Sequence, residues 1–149
     1  MFRYTINLAK KNKIEIAMSL SDIFCVNRHK KDFYNLLIND LNILIGNEIE
    51  INELTGKNNL LDSINQLKEL DKLIVVTRSD KGSLAIKNGK VTNCESLKVN
   101  KVIDLTGAGD LFAAGFLKEY LDKSDIQICL STGSIYASKI IQKIGARLE

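Results

Sequence analysis

The chain has 149 residues, of which 45% are hydrophobic and 26% charged, an ordinary composition for one globular domain with its own core. Its 21 basic and 18 acidic residues give a net charge of +3 without a run of like charges, so nothing supports binding to nucleic acid or to a membrane surface. No segment approaches the ~18 uninterrupted apolar residues of a membrane span, and the N-terminus lacks the apolar stretch of a signal peptide. We therefore expect a cytoplasmic protein.

Strands and helices are predicted to alternate along the first half of the chain. The first ten or so residues indicate a helix, and apolar runs at 14–20, 41–46 and 72–77 indicate three strands. The last two runs are almost continuously apolar, which is typical of parallel strands covered on both faces. Two helical segments, predicted over 47–56 and 59–70, provide a crossover between them. This alternation favours an α/β layer architecture.

A β-hairpin is predicted after the third strand. The segments 83–87 and 90–94 flank Asn88-Gly89, a pair that tolerates the positive φ angles of a type I′ turn. Residues 99–105 are predicted to form a further short strand. Helices are expected over 110–121, largely buried, and over 126–144, and a glycine inside the first, Gly115, indicates close packing.

The stretch DLTGAGDLFAAGFL, residues 104–117, places small residues at the start of a buried helix. Unpaired backbone N–H groups and the helix dipole make such a start a binding place for anions, above all phosphate. Gly107, Ala108 and Gly109 allow close backbone approach. Asp110 follows in the first helical turn, where a carboxylate can accept the proton of a hydroxyl that attacks a phosphoryl group.

A structural interpretation of the same stretch stands beside the chemical one. In that interpretation Thr106 caps the helix and the glycines only permit a tight turn. Two commoner phosphate motifs are excluded, because no G-x-x-x-x-G-K-[ST] sequence occurs and the dinucleotide fingerprint would need glycine where Phe112 stands. Spacing alone leaves the two interpretations equally supported.

Other polar and reactive residues are given no catalytic role. Cys25, Cys94 and Cys129 are odd in number and share no metal-ligand spacing, so we expect free thiols and neither a disulfide nor zinc. The basic cluster at 28–31, which includes the sole histidine, His29, is predicted to be a solvated helix start.

Three motifs together resemble the ribokinase-like (PfkB) carbohydrate kinase family. The stretch 104–117 is similar to the family signature D-T-x-G-A-G-D, Asn47 and Glu50 to its N-x-x-E motif, and 77–82 to its T-x-G-x-x-G motif. Their order is that of the family, and SLSDIFCVNRH, residues 19–29, resembles the bacterial adenosine-kinase-like branch. Ser79 replaces a glycine of the third motif, so its backbone is expected to be less free to adopt positive φ.

The resemblance implies a fold. This is a ribokinase-like, doubly wound α/β fold with a mostly parallel sheet, flanking helices and a β-hairpin, and residues 1–149 would be the C-terminal part of one kinase domain. Because family members are about twice as long, the N-terminal half and the lid are expected to be missing. An uncovered sheet edge would then favour a missing N-terminal partner or self-association.

The resemblance also implies site residues. Asp110 would be the catalytic base, with Gly107, Ala108 and Gly109 as the anion hole for the transferring phosphoryl group. Glu50 would hold Mg²⁺ through water, and Asp104 and Thr106 would help hold a monovalent cation such as K⁺. The residues expected to bind the nucleotide are Asn47, Glu50, Thr77, Arg78, Lys81, Gly82, Gly107, Gly109 and Gly133.

The function implied is ATP-dependent transfer of a phosphoryl group to a primary hydroxyl of a nucleoside or sugar, adenosine by preference, with ATP and Mg²⁺ required. The alternative is a truncated, non-catalytic nucleotide-binding remnant, or half of a split kinase that needs a partner chain.

Overall fold

The computed structural model describes residues 2–147, so that Met1, Leu148 and Glu149 of the domain predicted over 1–149 lie outside the described residues. Six α-helices and five strands follow one another in this part of the chain. The helices are α1 (Phe2–Lys11), α2 (Ile23–Asn39), α3 (Glu48–Thr55), α4 (Leu60–Leu67), α5 (Ala108–Leu121) and α6 (Ile126–Ile140). The strands are β1 (Ala17–Ser19), β2 (Ile43–Asn47), β3 (Leu73–Thr77), β4 (Ser83–Lys87) and β5 (Lys90–Cys94).

The five strands form one mixed sheet in the order β1-β2-β3-β4-β5, with helices flanking it. β1 runs parallel to β2, with Met18 opposite Leu44, and it forms one edge of the sheet. β4 and β5 form the predicted hairpin, whose turn residues Asn88 and Gly89 have φ angles of 51° and 72°. The predicted α/β class, the hairpin and the three apolar strands are thus confirmed.

The described chain divides into two compact units. The first unit runs through Val75 and adds Ile86–Lys90. Three of its helices, α2, α3 and α4, begin at side-chain caps that the sequence supplies. Asp22 accepts from the backbone N–H of Cys25 at the start of α2, and Asn59 accepts from that of Asp62 at the start of α4, each bond satisfying one otherwise unpaired N–H group.

The basic cluster at residues 28–31 is largely exposed to solvent, as predicted, but the helix that carries it starts earlier in the chain. α2 already begins at Ile23, where Asp22 caps it, and the basic cluster lies inside the helix. A local kink occurs there, since His29 has the non-helical angles φ −120° and ψ 23°.

The second unit comprises Val76–Ala85 and the described residues from Val91 on, and α5 packs against α6 within it. Phe112 and Phe116 of α5 are buried and their rings stack, with centroids 6.4 Å apart. The close packing predicted at Gly115 is confirmed, because a Cβ atom there would lie 3.1 Å from the Cα atom of Gly133 in α6.

Two expectations for the second unit are wrong. Residues 99–105 form no strand, because the backbone N–H groups of Ile103 and Asp104 donate to the carbonyl of Ile141, 2.7 and 3.3 Å away, rather than to a neighbouring strand. α6 ends at Ile140, not at residue 144. Among the described residues, no helix is long and apolar enough to cross a membrane.

Candidate functional site

The glycine-rich loop ends in an open helix start. Gly107 is the N-cap of α5 and has a φ angle of 80°, a left-handed conformation that favours glycine. No side chain caps the helix there. The Thr106 cap of the structural interpretation is therefore wrong: the hydroxyl of Thr106 donates instead to Oδ1 of Asp104, 2.7 Å away.

Asp104 stabilises this loop with both carboxylate oxygens. Its Oδ1 atom accepts from the backbone N–H of Thr106 at 2.8 Å as well as from the hydroxyl, and its Oδ2 atom accepts from the backbone N–H of Gly145 at 2.9 Å. These hydrogen bonds, led by the one from the Thr106 hydroxyl, favour the charged form and lower the pKa of Asp104 to about 2. The loop before α5 is thereby tied to the turn that follows α6.

The first turn of α5 carries the three predicted residues that follow Gly107. Ala108 is half-buried, while Gly109 and Asp110 are exposed in the helix's first turn. The first N–H groups of an α-helix have no acceptor within the helix, and the dipole adds a partial positive charge. The N–H of Ala108 donates to the carbonyl of Leu105 at 3.1 Å, so the N–H of Gly109 is the donor that this helix start offers to an anion, beside the exposed carboxylate of Asp110.

A cavity of about 630 Å³ lies within the second unit, next to this helix start. It brings together four of the predicted site residues, since Ala108 and Gly109 share its wall with Thr77 and Gly82. The volume falls within the range of small-molecule and cofactor sites. Apolar side chains supply much of the remaining wall: Leu97, Val102, Leu105, Phe112, Ala137 and Ile141.

The turn between β3 and β4 forms one side of the cavity. The N–H of Arg78 donates to the carbonyl of Gly82 at 2.8 Å, which closes the turn. Ser79 has a φ angle of 52°, so it adopts the positive φ that the sequence made less accessible. A Cβ atom on Gly82 would lie 2.1 Å from the Cys94 carbonyl oxygen, so only glycine fits. Arg78 and Lys81 belong to the turn without lining the cavity.

Gly133 also lies off the cavity wall, in the packing between α5 and α6. A Cβ atom there would lie 2.8 Å from the carbonyl oxygen of Phe112. Its placement supports a role in helix packing, and its predicted contact with nucleotide stays a prediction.

Asn47 and Glu50 form a capping box at the start of α3, in the first unit. The side chain of Asn47 accepts from the N–H of Glu50 at 2.9 Å, and Oε2 of Glu50 accepts from the N–H of Asn47 at 2.8 Å. Glu50 is only 6% exposed, so it is not a surface carboxylate. Burial raises its pKa. In the part of the chain that the structure describes, no basic side chain pairs with it.

Sequence reasoning missed the residues contributed by the end of α6 and the turn after it. Gly145 donates to Asp104, and Ser134, Ala137 and Ser138 line the cavity. The helical spacing of 134, 137 and 138 places them on one face of α6, which was the available signal. No local pattern could indicate the hydrogen bond between Gly145 and Asp104, because the two residues are 41 positions apart in the sequence.

Comparisons with known proteins identify the family to which the chain belongs. The model of the pfkB family carbohydrate kinases matches residues 1–149. A nucleoside kinase of Methanocaldococcus jannaschii is 31% identical over 121 residues, which are 80% of this chain and 39% of that kinase.

Solved structures of two kinases are similar to this chain. The structure of adenosine kinase from Sinorhizobium meliloti matches with a TM-score of 0.94 and 32% identity over 98% of this chain and 45% of that one. A probable sugar kinase from Rhizobium etli matches with a TM-score of 0.91 and 31% identity over 95% of this chain and 43% of that one. The chain thus spans less than half the length of these relatives.

Proposed function

The chain belongs to the pfkB family of carbohydrate kinases, and from that membership we propose that it carries the nucleotide-binding and catalytic half of a kinase of the ribokinase type. The reaction is transfer of the γ-phosphoryl group of ATP to a primary hydroxyl of a nucleoside or sugar. Relatives named nucleoside kinase, cytidine kinase and adenosine kinase favour a nucleoside as the acceptor substrate, and adenosine is the first nucleoside to test.

The cavity beside the start of α5 is the observation that carries this proposal. An uncapped helix N-terminus, with Ala108 and Gly109 in the wall of a 630 Å³ apolar cavity, matches a ligand with an aromatic base and a phosphate tail. The base and ribose would lie against the apolar wall and along the turn at 77–82. The phosphates would face the N–H groups of Gly107 and Gly109, whereas that of Ala108 already donates to the carbonyl of Leu105 at 3.1 Å.

Asp110 is proposed as the general base. Its carboxylate is exposed in the first turn of α5, where an acceptor hydroxyl can approach the bound phosphoryl group. An aspartate is a weak base at neutral pH, but a loose phosphoryl-transfer transition state needs little deprotonation before the bond to phosphorus forms. The N–H groups of the glycine loop would stabilise negative charge on the transferring group.

Glu50 is the proposed Mg²⁺ residue. A buried carboxylate with a raised pKa and no paired cation among the described residues has the charge and the oxygen donors that Mg²⁺ prefers. Mg²⁺, when bound through water, would neutralise charge on the nucleotide phosphates. Asn47 would hold the Glu50 carboxylate in place through the capping box.

The second candidate is a chain that binds nucleotide without completing a reaction, either as a remnant or as half of a split kinase. One observation favours it: among the described residues, β1 leaves one edge of the sheet open. An edge strand with free backbone groups is a place where another chain can pair. A chain carrying the N-terminal half of such a kinase, or a second copy, would be the partner.

Calorimetric titration of the purified chain with MgATP tests the proposal. We expect saturable binding that Gly107→Val abolishes, because a side chain there is strained by the positive φ and meets Ala146, while Asp110→Asn binds normally. Asp125→Asn is the matched control, because Asp125 is exposed and makes no side-chain cap bond at the start of α6. A folded chain that fails to bind MgATP would overturn both candidate functions.

Assays of ADP release in the presence of adenosine then separate the candidates. Transfer that is lost in Asp110→Asn and kept in Asp125→Asn supports the kinase. MgATP binding without transfer, with transfer restored by an N-terminal half supplied as a second chain, supports the split enzyme.

A further inference from the structure

The turn after α6, residues 141–146, contacts the loop before α5 at three points. The carbonyl of Ile141 accepts from the N–H groups of Ile103 and Asp104, at 2.7 and 3.3 Å. The N–H of Gly145 donates to Oδ2 of Asp104 at 2.9 Å. Ala146 fills the space beside Gly107, since a Cβ atom on that glycine would lie 2.9 Å from the Cβ atom of Ala146. We call residues 141–146 the C-terminal turn.

Gly145 and Ile141 have exchanged the partners that a continuous helix would give them. One more turn of α6 would pair the N–H of Gly145 with the carbonyl of Ile141. Instead, the carbonyl bonds to Ile103 and the N–H to Asp104. Ending α6 early therefore frees both groups to hold the loop before α5.

The surroundings of Asp104 do not fit the monovalent cation that the family resemblance implies. A cation is bound by oxygen lone pairs, whereas the positive ends of two N–H groups and one O–H group converge on this carboxylate. The hydroxyl of Thr106 donates its hydrogen to Asp104, so Thr106 acts here as a hydrogen-bond donor and not as an oxygen ligand. The charge of Asp104 is already compensated by hydrogen bonds within the chain.

We propose that Asp104 is a positioning residue that fastens the C-terminal turn to the glycine loop, and that its hydrogen bonds replace a monovalent cation. The inference builds on the proposed nucleotide binding at that loop. With Asp104 attached to Thr106 and Gly145, and Ala146 against Gly107, the loop keeps its left-handed turn before any ligand arrives. Nucleotide binding is consequently independent of K⁺.

Titration of the full chain with MgATP in two buffers of equal ionic strength, one with KCl and one with tetramethylammonium chloride, tests the proposal. The dissociation constants of the two titrations are expected to agree within about twofold. Asp104→Asn should weaken binding by about tenfold in both salts, and Asp125→Asn should not. Affinity that rises saturably with K⁺, and does so only while Asp104 is present, overturns the proposal.

The amide of Gly145 gives a second measurement that needs no nucleotide. In NMR spectra of the chain without ligand, this amide should exchange slowly with solvent, and its chemical shift should not respond to K⁺. A fast-exchanging amide, or a saturable shift with K⁺, contradicts the proposal. If MgATP fails to bind while the Gly145 amide is protected and insensitive to K⁺, the proposed function fails and the fastening role of Asp104 stands.

Discussion

Gly115 of α5 and Gly133 of α6 lie against each other where the two helices pack, and neither leaves room for a side chain. A Cβ atom on Gly115 would lie 2.9 Å from the carbonyl oxygen of Thr132 and 3.1 Å from the Cα atom of Gly133. The start of α5 carries part of the candidate site, so this contact holds in place the helix that follows the glycine loop.

Gly115→Val is expected to destabilise the chain by about 1–3 kcal/mol, because backbone atoms of α6 have to move. Denaturant unfolding followed by circular dichroism measures the loss. Gly109→Ala, on the same helix, is the matched control. A Cβ atom at position 109 would have no other atom within 4 Å. The free energy of unfolding of Gly109→Ala should therefore be unchanged or higher than that of wild type. Equal stability of the two variants would contradict the packing argument.

Glu50 should make the chain less stable as pH rises. Burial raises its pKa in the folded state, so the folded chain binds this proton more tightly than the unfolded chain. The destabilisation caused by the buried charge of Glu50 is therefore absent below the pKa of the unfolded state. It reaches its full size above the pKa of the folded state. Glu50→Gln removes it, while the amide oxygen can still accept from the N–H of Asn47.

Unfolding curves of wild type and Glu50→Gln between pH 3.5 and pH 8 check this expectation. The stability difference in favour of the variant should grow with pH, and added Mg²⁺ should stabilise wild type more than the variant. A difference that does not change with pH would show that the carboxylate is already compensated.

The sequence was sufficient wherever short-range physics determines the structure. The almost continuous apolar runs predicted β2 and β3, and Asn88-Gly89 predicted the hairpin turn through its tolerance of positive φ. Local sequence patterns gave the wrong secondary structure where a hydrogen-bond partner distant in the sequence determines the conformation. Residues 99–105 have the composition of a strand, but Ile103 bonds to Ile141, 38 positions later, and this pairing holds the segment as a loop.

Part of the candidate site was equally predictable. The glycine loop and Asp110 stand within a single stretch of sequence, and Ala108 and Gly109 indeed lie in the cavity wall. The contribution of α6 and of Gly145 depends on how α6 ends, which propensity does not determine.

Asp104 should stabilise the chain until strongly acid pH. Its pKa is lowered from 3.8 to about 2 by the bonds from Thr106 and Gly145, so the folded chain releases this proton more readily than the unfolded one. The stability it contributes is therefore present above pH 3.8 and is lost as pH falls towards 2. Asp104→Asn should be less stable than wild type at pH 5, and the gap should narrow steadily as pH falls from 3.8 towards 2. A gap that is constant over this range would assign the loss to packing.

Two buried serines offer a comparison in which one hydroxyl has partners and the other has none. Ser63 of α4 donates to Oδ1 of Asn52 at 2.7 Å and lies 2.8 Å from the hydroxyl of Thr55. Ser83 of β4 is 2% exposed, and its hydroxyl has no hydrogen-bond partner among the described residues. An unsatisfied buried polar group is costly, whereas a satisfied one stabilises.

Replacing each serine by alanine is therefore expected to change the free energy of unfolding in opposite directions. Ser83→Ala should raise the free energy of unfolding by about 1 kcal/mol, because it removes a buried hydroxyl without breaking a bond. Ser63→Ala should lower it by about 1–3 kcal/mol, because the amide oxygen of Asn52 loses its donor. Chemical denaturation of the three proteins side by side measures both effects. A loss of stability in Ser83→Ala would mean that this hydroxyl bonds to a buried water molecule, and the two serines would then play the same role.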